Sequence, residues 1–383
     1  MTLVTDEKEI AEALRGCENE EIHIPGIIQP IGCLLGAELE TGRICYVSQN
    51  SEAYVSLPPE SVVGRDIREV LGPETWHSAK NAASLADFES RRVYLTSVHL
   101  EQRELAVSVS KGGDYFVFEI EPGKEVPQFS ETSFREQAFL LKQLEGCRDI
   151  AALFDMTVRL SRHLTGFEHV MLYKFDDDWN GEVIAEAKKG SVETMLGLRF
   201  PHWDIPAQAR AIMERLPLRL IADVDQPSID IIGLDDKVLP LDISLAQLRG
   251  VSTVHLQYLR NMGSRATMTL SVVLEGKLWG IISFHHKRAK VTASHIRHLL
   301  TSHLLPFFCL KLSQLEDRHA LDLSQKFEVL QTDLQQQLER GKDVGKILAE
   351  VGPAICEMLV VDGISIRSGK QTYSFGEIPR KEV

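Results

Sequence analysis

Two strand hairpins, far apart in the chain, constrain its fold more than any other feature. In the first, LAVSVS and YFVFEI flank the turn Lys111-Gly112-Gly113-Asp114, and glycines between alternating apolar residues are a strong hairpin signal. In the second, ATMTLSVVL and LWGIISFHH flank the short turn EGK. Helical text precedes each hairpin, at SVVGRDIREVLG and at residues 131–164. Because helices cover the apolar faces of such sheets, we predict an α+β fold with antiparallel sheets flanked by helices.

The remaining text predicts two further features. Residues 222–248, which contain DVDQPSIDIIGLDDKVLPLD, are predicted to be irregular, and a connection this long is usually functional or held by another part of the fold. Residues 292–341 are predicted to form a long helix, whose near-heptad leucines give one apolar face suited to dimerisation. Those leucines are Leu315, Leu323, Leu330, Leu334 and Leu338. Residues 349–383 are predicted to open a third domain with a helix and a hairpin, without completing it.

Charge and composition argue against several functional classes. A net charge of −13 disfavours nucleic-acid binding, since phosphate contacts need clustered lysine and arginine. No window reaches the roughly 20 apolar residues of a membrane helix, and the acidic N-terminus lacks the apolar run of a signal peptide, so we expect a cytoplasmic protein. The 6 cysteines include no CxxC pair, so neither a zinc site nor a disulfide framework is predicted. Familiar nucleotide-binding and hydrolase motifs are missing, which weakens any enzyme interpretation.

Three polar clusters interrupt the apolar text of the second α+β unit. In RFPHWDIPAQAR (199–210), Pro201 and Pro206 fix the backbone, so that Asp204 lies in a stiff turn before a helix that can start at Pro206. In LRGVSTVHLQYLRNMG (248–263), His255 and Tyr258 share one face of a predicted helix. On these residues alone, an ordinary helix-start turn and a buried His–Tyr pair with satisfied hydrogen bonds are equally admissible interpretations.

The third cluster is the second hairpin. Strand alternation places Thr267, Thr269 and Ser271 on one face, either as an exposed hydroxyl-bearing surface or as a pocket wall. His285 and His286 point to opposite faces, so these adjacent histidines do not share a metal ion. Two arginines, Arg219 and Arg249, lie near the clusters in sequence and could be ordinary surface ion pairs or carboxylate ligands. Together these residues favour a pocket for a long ligand, apolar in its middle and carrying carboxylates at its edge.

These segments closely resemble bacteriophytochromes. CENEEIHIPGIIQPIG (17–32) is similar to the family's N-terminal cysteine and the opening of its PAS domain, and PHWDIPAQAR to its Pro-Ala-Ser-Asp-Ile-Pro motif. STVHLQYLRNMG and LWGIISFHH match its GAF-domain signatures. Because the motifs follow the family's order along nearly the whole chain, the resemblance is very specific.

The resemblance implies biliverdin as chromophore, joined by a thioether from Cys17 to a vinyl-derived side chain on ring A. Plant and cyanobacterial relatives use a GAF cysteine just before the matched histidine, and Val254 holds that place here, which favours Cys17. In the family, light isomerises the double bond between rings C and D. The signal then passes along the helical spine to an output domain or response regulator, which lies outside this chain.

The same match implies a role for each pocket residue. The Asp204 carbonyl would accept hydrogen bonds from the pyrrole nitrogens, His255 would lie against the rings, and His285 would bond the ring D carbonyl. Propionates would be held by Arg219 and Arg249 on one side, and by Ser252, Thr267 and Thr269 on the other. Ring D would be enclosed by Tyr173, Met195, Phe200 and Tyr258.

The resemblance also implies the domain order. It gives an N-terminal segment with the chromophore cysteine (1–20), a PAS domain (21–127), a GAF domain (128–305), a connecting helix (306–345) and the start of a PHY domain (346–383). The family is among the rare knotted folds, so the segment around Ile28 is expected to thread a loop formed by part of 222–248. A homodimer through the GAF and connecting helices is expected.

Several positions depart from the family's pattern. His202-Trp203 stand where the family has Ala-Ser, Ile31 where it commonly has His, Met213 where it has Tyr, and Thr253 where it has Pro. The tongue of the PHY domain, which seals the family's pocket, is not in this sequence, so incomplete photoconversion or fast reversion is expected. Two alternatives stay open: a fluorescent or locked pigment protein in which Trp203 blocks ring D, and a degenerate phytochrome that serves as a redox or dimerisation scaffold.

Overall fold

The chain forms two compact units, Met1–Lys311 and Leu312–Val383. The computed structural model describes residues 20–85, 88–100, 103–123, 131–235, 240–368 and 370–378. Cys17, the predicted attachment residue, lies outside these ranges. Within them, no helix is long and apolar enough to cross a membrane.

The first unit contains two antiparallel sheets. In chain order, its strands are β1 (Ile27–Ile28), β2 (Cys33–Glu38), β3 (Ile44–Ser48), β4 (Val93–Leu100), β5 (Arg103–Gly112), β6 (Tyr115–Pro122), β7 (His169–Phe175), β8 (Gly181–Lys188), β9 (Arg199–Phe200), β10 (Leu218–Ile221), β11 (Ile229–Gly233), β12 (Ala266–Leu274) and β13 (Lys277–His286). The first sheet has the order β1-β11-β3-β2-β6-β5-β4, and the second the order β10-β12-β13-β7-β8-β9. The predicted α+β fold is therefore confirmed.

Both predicted hairpins form where the turn residues indicate. β5 and β6 pair up to Gly112 and Tyr115, and Gly113 adopts a φ of 62°. β12 and β13 pair up to Leu274 and Lys277. Between them, Glu275 and Gly276 both have positive φ, 51° and 79°, which is the backbone that the tightest hairpin turns require.

The helices of the first unit cover these sheets. They span Glu52–Val55, Pro59–Val62, Ile67–Leu71, Pro73–Ala83, Glu131–Glu145, Ile150–Thr165, Ala207–Met213, Thr253–Asn261 and Ser294–Leu299. SVVGRDIREVLG, predicted as one helical stretch, is two short helices, because Gly64 between them has a φ of 84°. A π-helical turn at Leu300–Leu304 leads from Ser294–Leu299 into a helix that spans Leu305–Glu339. The long predicted helix is therefore present, with an irregular first part.

The prediction that residues 222–248 are irregular is wrong at their centre, where β11 forms. β11 pairs with β3 on one side and with β1 on the other, so that Ile28 faces Ile229. The second arm, which ends at residues 248–250, hydrogen-bonds to the opposite side of the N-terminal stretch. The amide of Gly250 donates to the carbonyl of Ile27, and the amide of Gln29 donates to the carbonyl of Leu248. The N-terminal stretch therefore lies between the two arms, which is the arrangement that the predicted threading requires.

The second unit contains the remainder of the helix Leu305–Glu339 and a helix at Val344–Leu359. It also contains the hairpin formed by β14 (Gly363–Ser368) and β15 (Gln371–Gly376). The shorter helix packs closely on the hairpin, since a Cβ at Gly352 would lie 2.7 Å from the Phe375 ring. A helix and a hairpin were predicted from the sequence of this region, and both are present.

Candidate functional site

A cavity of about 370 Å³ lies in the first unit, bounded by the second sheet, the turn at residues 200–206 and the helix Thr253–Asn261. Every predicted site residue within the described ranges lines it. These are Tyr173, Met195, Phe200, Trp203, Asp204, Arg219, Arg249, Ser252, His255, Tyr258, Thr267, Thr269 and His285. Residues that are distant in sequence thus converge on one ligand-sized space.

The turn that carries Asp204 is stiff because Pro201 and Pro206 restrict its backbone on either side. A 3-10 turn spans His202–Asp204, and the helix Ala207–Met213 follows with Pro206 at its N-cap, one residue later than predicted. The guanidinium of Arg210 donates hydrogen bonds back to the carbonyls of His202 and Ile205. Arg210 also stacks 4.7 Å from the centre of the Trp179 ring, so the turn is held on the side away from the cavity.

Asp204, Tyr258 and His255 form a chain of contacts across the cavity. The Tyr258 hydroxyl donates to Asp204 Oδ2 at 3.5 Å, and its ring stacks on that of His255 with centroids 6.0 Å and planes 15° apart. Their predicted shared helix face is therefore confirmed. Burial raises the pKa of the Asp204 carboxyl, an effect that the Tyr258 hydrogen bond opposes. Burial and the nearby Asp204 raise the pKa of Tyr258 to about 12.

His285 is held by two serines. Its Nδ1 lies 2.7 Å from Ser264 Oγ, and its Nε2 lies 2.9 Å from Ser283 Oγ. Burial lowers the pKa of His285 to about 4, so the ring is neutral at pH 7. Sequence reasoning missed both serines. Ser283 could have been found, because it lies two residues before His285 on β13 and so shares its face.

The two arginines differ from ordinary surface cations. Arg219 donates to the carbonyls of Gln247, Arg249 and Gly250, and Arg249 donates to the carbonyl of Ile22 at 2.7 Å. Within the described chain, neither forms an ion pair with a carboxylate, and the buried Nε of Arg249 has no hydrogen-bond partner. Burial lowers the pKa of both, that of Arg249 to about 10.

These positive charges act on His255. Burial, followed by the charges of Arg219 and Arg249, lowers the pKa of His255 to about 4. Because the ring faces the open cavity, water there screens part of this effect, and a ligand that excludes water would strengthen it. The cavity therefore offers a neutral imidazole beside two cations that, within the described residues, no carboxylate contacts directly.

The other end of the cavity is apolar. The Tyr173 ring lies 5.9 Å from that of Phe200, and the amide of Met195 is fixed by a hydrogen bond to the Glu186 carboxylate at 3.0 Å. Trp203 contributes to the wall, but its side chain is 46% exposed and its ring meets that of His202 edge-on at 5.0 Å. The indole is therefore a partly exposed part of the cavity wall.

The hydroxyl face of β12 is a pocket wall and not an exposed surface. Thr267 and Thr269 line the cavity, and Ser271 is buried, with its hydroxyl donating to the carbonyl of Leu216. Of the apolar lining of the helix Ala207–Met213, the sequence singled out only Met213, as a departure from the family's pattern, although the spacing gives the signal of one helix face. That lining comprises Ala209, Ile212 and Met213. Across the described ranges, no group of three or more His, Cys, Asp or Glu side chains is placed to hold a metal ion.

Comparison with known proteins agrees with this architecture. Residues 17–123 match the PAS fold family, and residues 149–302 match the GAF domain family. The chain is 32% identical over 375 residues to a bacteriophytochrome of Xanthomonas campestris pv. campestris, covering 95% of this chain and 57% of that protein. It is 31% identical over 376 residues to a bacteriophytochrome of Pseudomonas aeruginosa, covering 96% of this chain and 50% of that one.

A cyanobacterial phytochrome B of Nostoc sp. is 29% identical over 371 residues, which is 96% of this chain and 49% of the relative. The chain thus spans about half the length of the curated relatives it matches. The two domain matches lie in the same order as the two sheets, and the similarity continues through the helices that follow. The chain belongs to the phytochrome family and comprises the PAS and GAF domains of its photosensory module.

Proposed function

We propose that this chain binds biliverdin in the cavity of its GAF domain and is the light-sensing part of a red/far-red photoreceptor. The observation that carries the proposal is the pair Arg219 and Arg249, two cations on the cavity wall without a carboxylate partner in the described chain. The charges of Glu119 and Asp242 act on Arg219 and Arg249, respectively, without direct contact. Buried cations without a contacting anion are costly, and a ligand with two carboxylates would supply such contacts. Thr267, Thr269 and Ser252 add hydroxyl groups along the same wall.

The remaining lining suits the rest of a linear tetrapyrrole. Tyr173, Met195 and Phe200 would pack against one end. The His285 imidazole would hydrogen-bond a carbonyl there in place of one of its two serine partners. Asp204 and His255 both line the cavity, and the Asp204 carbonyl and the His255 ring would interact with the pyrrole nitrogens. When bound, the bilin supplies the absorption of red light and the isomerisation between rings C and D. The protein's part is to hold, hydrogen-bond and dehydrate it.

Cys17 is proposed as the attachment point. Glu20 and Ile22 line the cavity, so Cys17 lies within about 11 Å of a lining residue, since an extended chain spans at most about 3.6 Å per residue. Addition of the thiol across a vinyl double bond breaks the S–H bond and the π bond, forms one C–S and one C–H bond, and needs no oxidant. The thiolate is the reactive form.

The test is co-expression with a heme oxygenase, followed by denaturation and zinc-induced fluorescence on the protein band. Pigment is expected on the wild type and on Cys356→Ser, but not on Cys17→Ser, which should still bind bilin in its native state. Pigment on all three proteins would move the attachment to another residue. No bilin absorption on any of them, before denaturation, would overturn the proposed function.

A second candidate function follows from Trp203, whose indole forms part of the wall. If that indole restricts ring D, the chain is a bilin protein that fluoresces without photoconverting, and a light-minus-dark difference spectrum separates the two. Stoichiometric pigment without turnover would distinguish both from a bilin-modifying enzyme, and a pigment-free protein would leave the scaffold alternative.

We also propose a homodimer through the GAF and connecting helices, an output domain or response regulator as signalling partner, and a cytoplasmic location.

A further inference from the structure

A buried network of charged and amide side chains lies beside the cavity. Arg92 binds the carboxylates of Glu119 and Glu121, which are two residues apart on β6 and therefore share one face of the strand. Glu121 also pairs with Arg297 at 2.7 Å, and both of these side chains are at most 7% exposed. Arg297 belongs to the helix Ser294–Leu299, which leads into the long helix. The network therefore joins the first sheet to the start of the helical spine.

Gln247 connects this network to the cavity. Its side-chain Oε1 accepts a hydrogen bond from Arg297 at 2.6 Å, and its main-chain carbonyl accepts one from Arg219 at 3.0 Å. Gln29 donates to the same carbonyl at 3.3 Å. Gln247 is only 8% exposed, so water does not substitute for these partners. A single residue thus contacts both a cavity arginine and the arginine that anchors the spine.

The neighbours of Gln247 make the segment a rigid connection. The amide of Leu248 donates to the Glu119 carboxylate at 2.7 Å, and Arg219 also holds the carbonyls of Arg249 and Gly250. All four carbonyls of residues 247–250 are therefore tied to the Arg219 guanidinium or to the N-terminal stretch. In buried networks, a change in one hydrogen bond alters the strength of the others.

We propose that Gln247 is a positioning residue that relays the state of Arg219 to Arg297, so that filling the cavity alters how the helix at Ser294 is anchored. A carboxylate that binds Arg219 competes with the Gln247 carbonyl for its donors and draws the guanidinium towards the cavity. The 247–250 segment adjusts, and with it the Oε1 that holds Arg297. The part of this relay that involves a ligand rests on the proposed function, whereas the coupling between the two arginines does not.

The test is a double-mutant cycle on the unloaded protein, read by hydrogen exchange of the amides in residues 294–304. Arg219→Met should raise exchange there by at least about threefold, a size that site-to-site couplings reach, and Gln247→Met should raise it directly. The double variant should exchange no faster at residues 294–304 than Gln247→Met alone, because Gln247→Met already removes the hydrogen bond between residue 247 and Arg297. Gln247→Glu, which keeps an acceptor for Arg297, should restore the response to Arg219→Met. Arg260→Met, at an exposed ion pair with Asp225, is the control.

Additive effects of Arg219→Met and Gln247→Met, or no response of residues 294–304 to Arg219→Met, would overturn the relay. Repeating the measurement with biliverdin should show a change at 294–304 in the wild type that Gln247→Met removes while absorption is retained. If no bilin absorption develops but the cycle is non-additive, the relay stands and the proposed ligand is wrong. If bilin binds and the effects are additive, the proposed ligand stands and the relay is wrong.

Discussion

The guanidinium of Arg219 donates a hydrogen bond to the main-chain carbonyl of Arg249, which places two cationic residues side by side on the cavity wall. The charge of Arg249 adds to burial in lowering the pKa of Arg219. Carbonyl oxygens stabilise the guanidinium groups only partly, because a carbonyl oxygen carries a partial negative charge and a carboxylate carries a full one. The pair therefore predicts a preference for ligands that carry carboxylates.

This preference can be measured by comparing biliverdin with its dimethyl ester, which lacks the charges. In a Cys17→Ser background, where binding is reversible, Arg249→Met should weaken biliverdin binding by about 10- to 100-fold, the size of a hydrogen bond to a charged group. Binding of the ester should hardly change. Arg260→Met provides a matched control at the surface. Equal losses for both ligands would mean that Arg249 acts through packing and not through charge.

The close approach of Gly181 to Tyr173 predicts a second variant. A Cβ at Gly181 would lie 1.8 Å from the Tyr173 ring, so Gly181→Ala must push that ring from its place in the cavity wall. We expect a destabilisation of about 1–3 kcal/mol, as for other overpacked sites, and weaker biliverdin binding by absorbance titration. At Gly190 a Cβ meets nothing within 4 Å, so Gly190→Ala is the control. Unchanged binding in folded Gly181→Ala would exclude the ring's position as a determinant.

Local patterns predicted the parts of this fold that local physics determines. The hairpin turns and the shared face of His255 and Tyr258 follow from residue chemistry within a few positions. The cavity residues could be named only because the family's motifs supplied their roles. Spacing alone left Asp204 as an ordinary turn residue.

The features that were missed depend on contacts between distant parts of the chain. β11 is a strand because β1 and β3 lie on either side of it, and no pattern within 222–248 reports those partners. Ser264 became part of the site only because the hairpin brings it to His285. The Gln247 connection likewise joins residues 50 positions apart at Arg297 and 28 positions apart at Arg219. Such contacts are properties of the tertiary structure.

The lowered pKa of His285 predicts a pH dependence of stability. Because its folded-state pKa is about 4 against 6.5 for the unfolded chain, the neutral ring stabilises the fold fully above about pH 6.5. That contribution, at most about 3 kcal/mol, is lost as the pH falls from 6.5 towards 4. Urea unfolding at pH 7 and pH 4.5 should show a smaller loss for His285→Gln than for the wild type. The exposed His99→Gln is the control, and an equal loss in all three proteins would contradict the assignment.

The partial exposure of Trp203 makes the final prediction, which separates photoconversion from fluorescence. The residue is 46% exposed and its ring meets that of His202 edge-on, and Tyr173 and Phe200 line the cavity as well. Trp203→Ser should therefore change the free energy of unfolding by no more than about 0.5 kcal/mol, as at surface positions, and should leave the light-minus-dark difference spectrum of the loaded protein essentially unaltered. Tyr258→Phe, which removes the hydroxyl that bonds Asp204, should alter that spectrum. A large gain in photoconversion in Trp203→Ser would instead show that the indole restricts the chromophore, in favour of the fluorescent alternative.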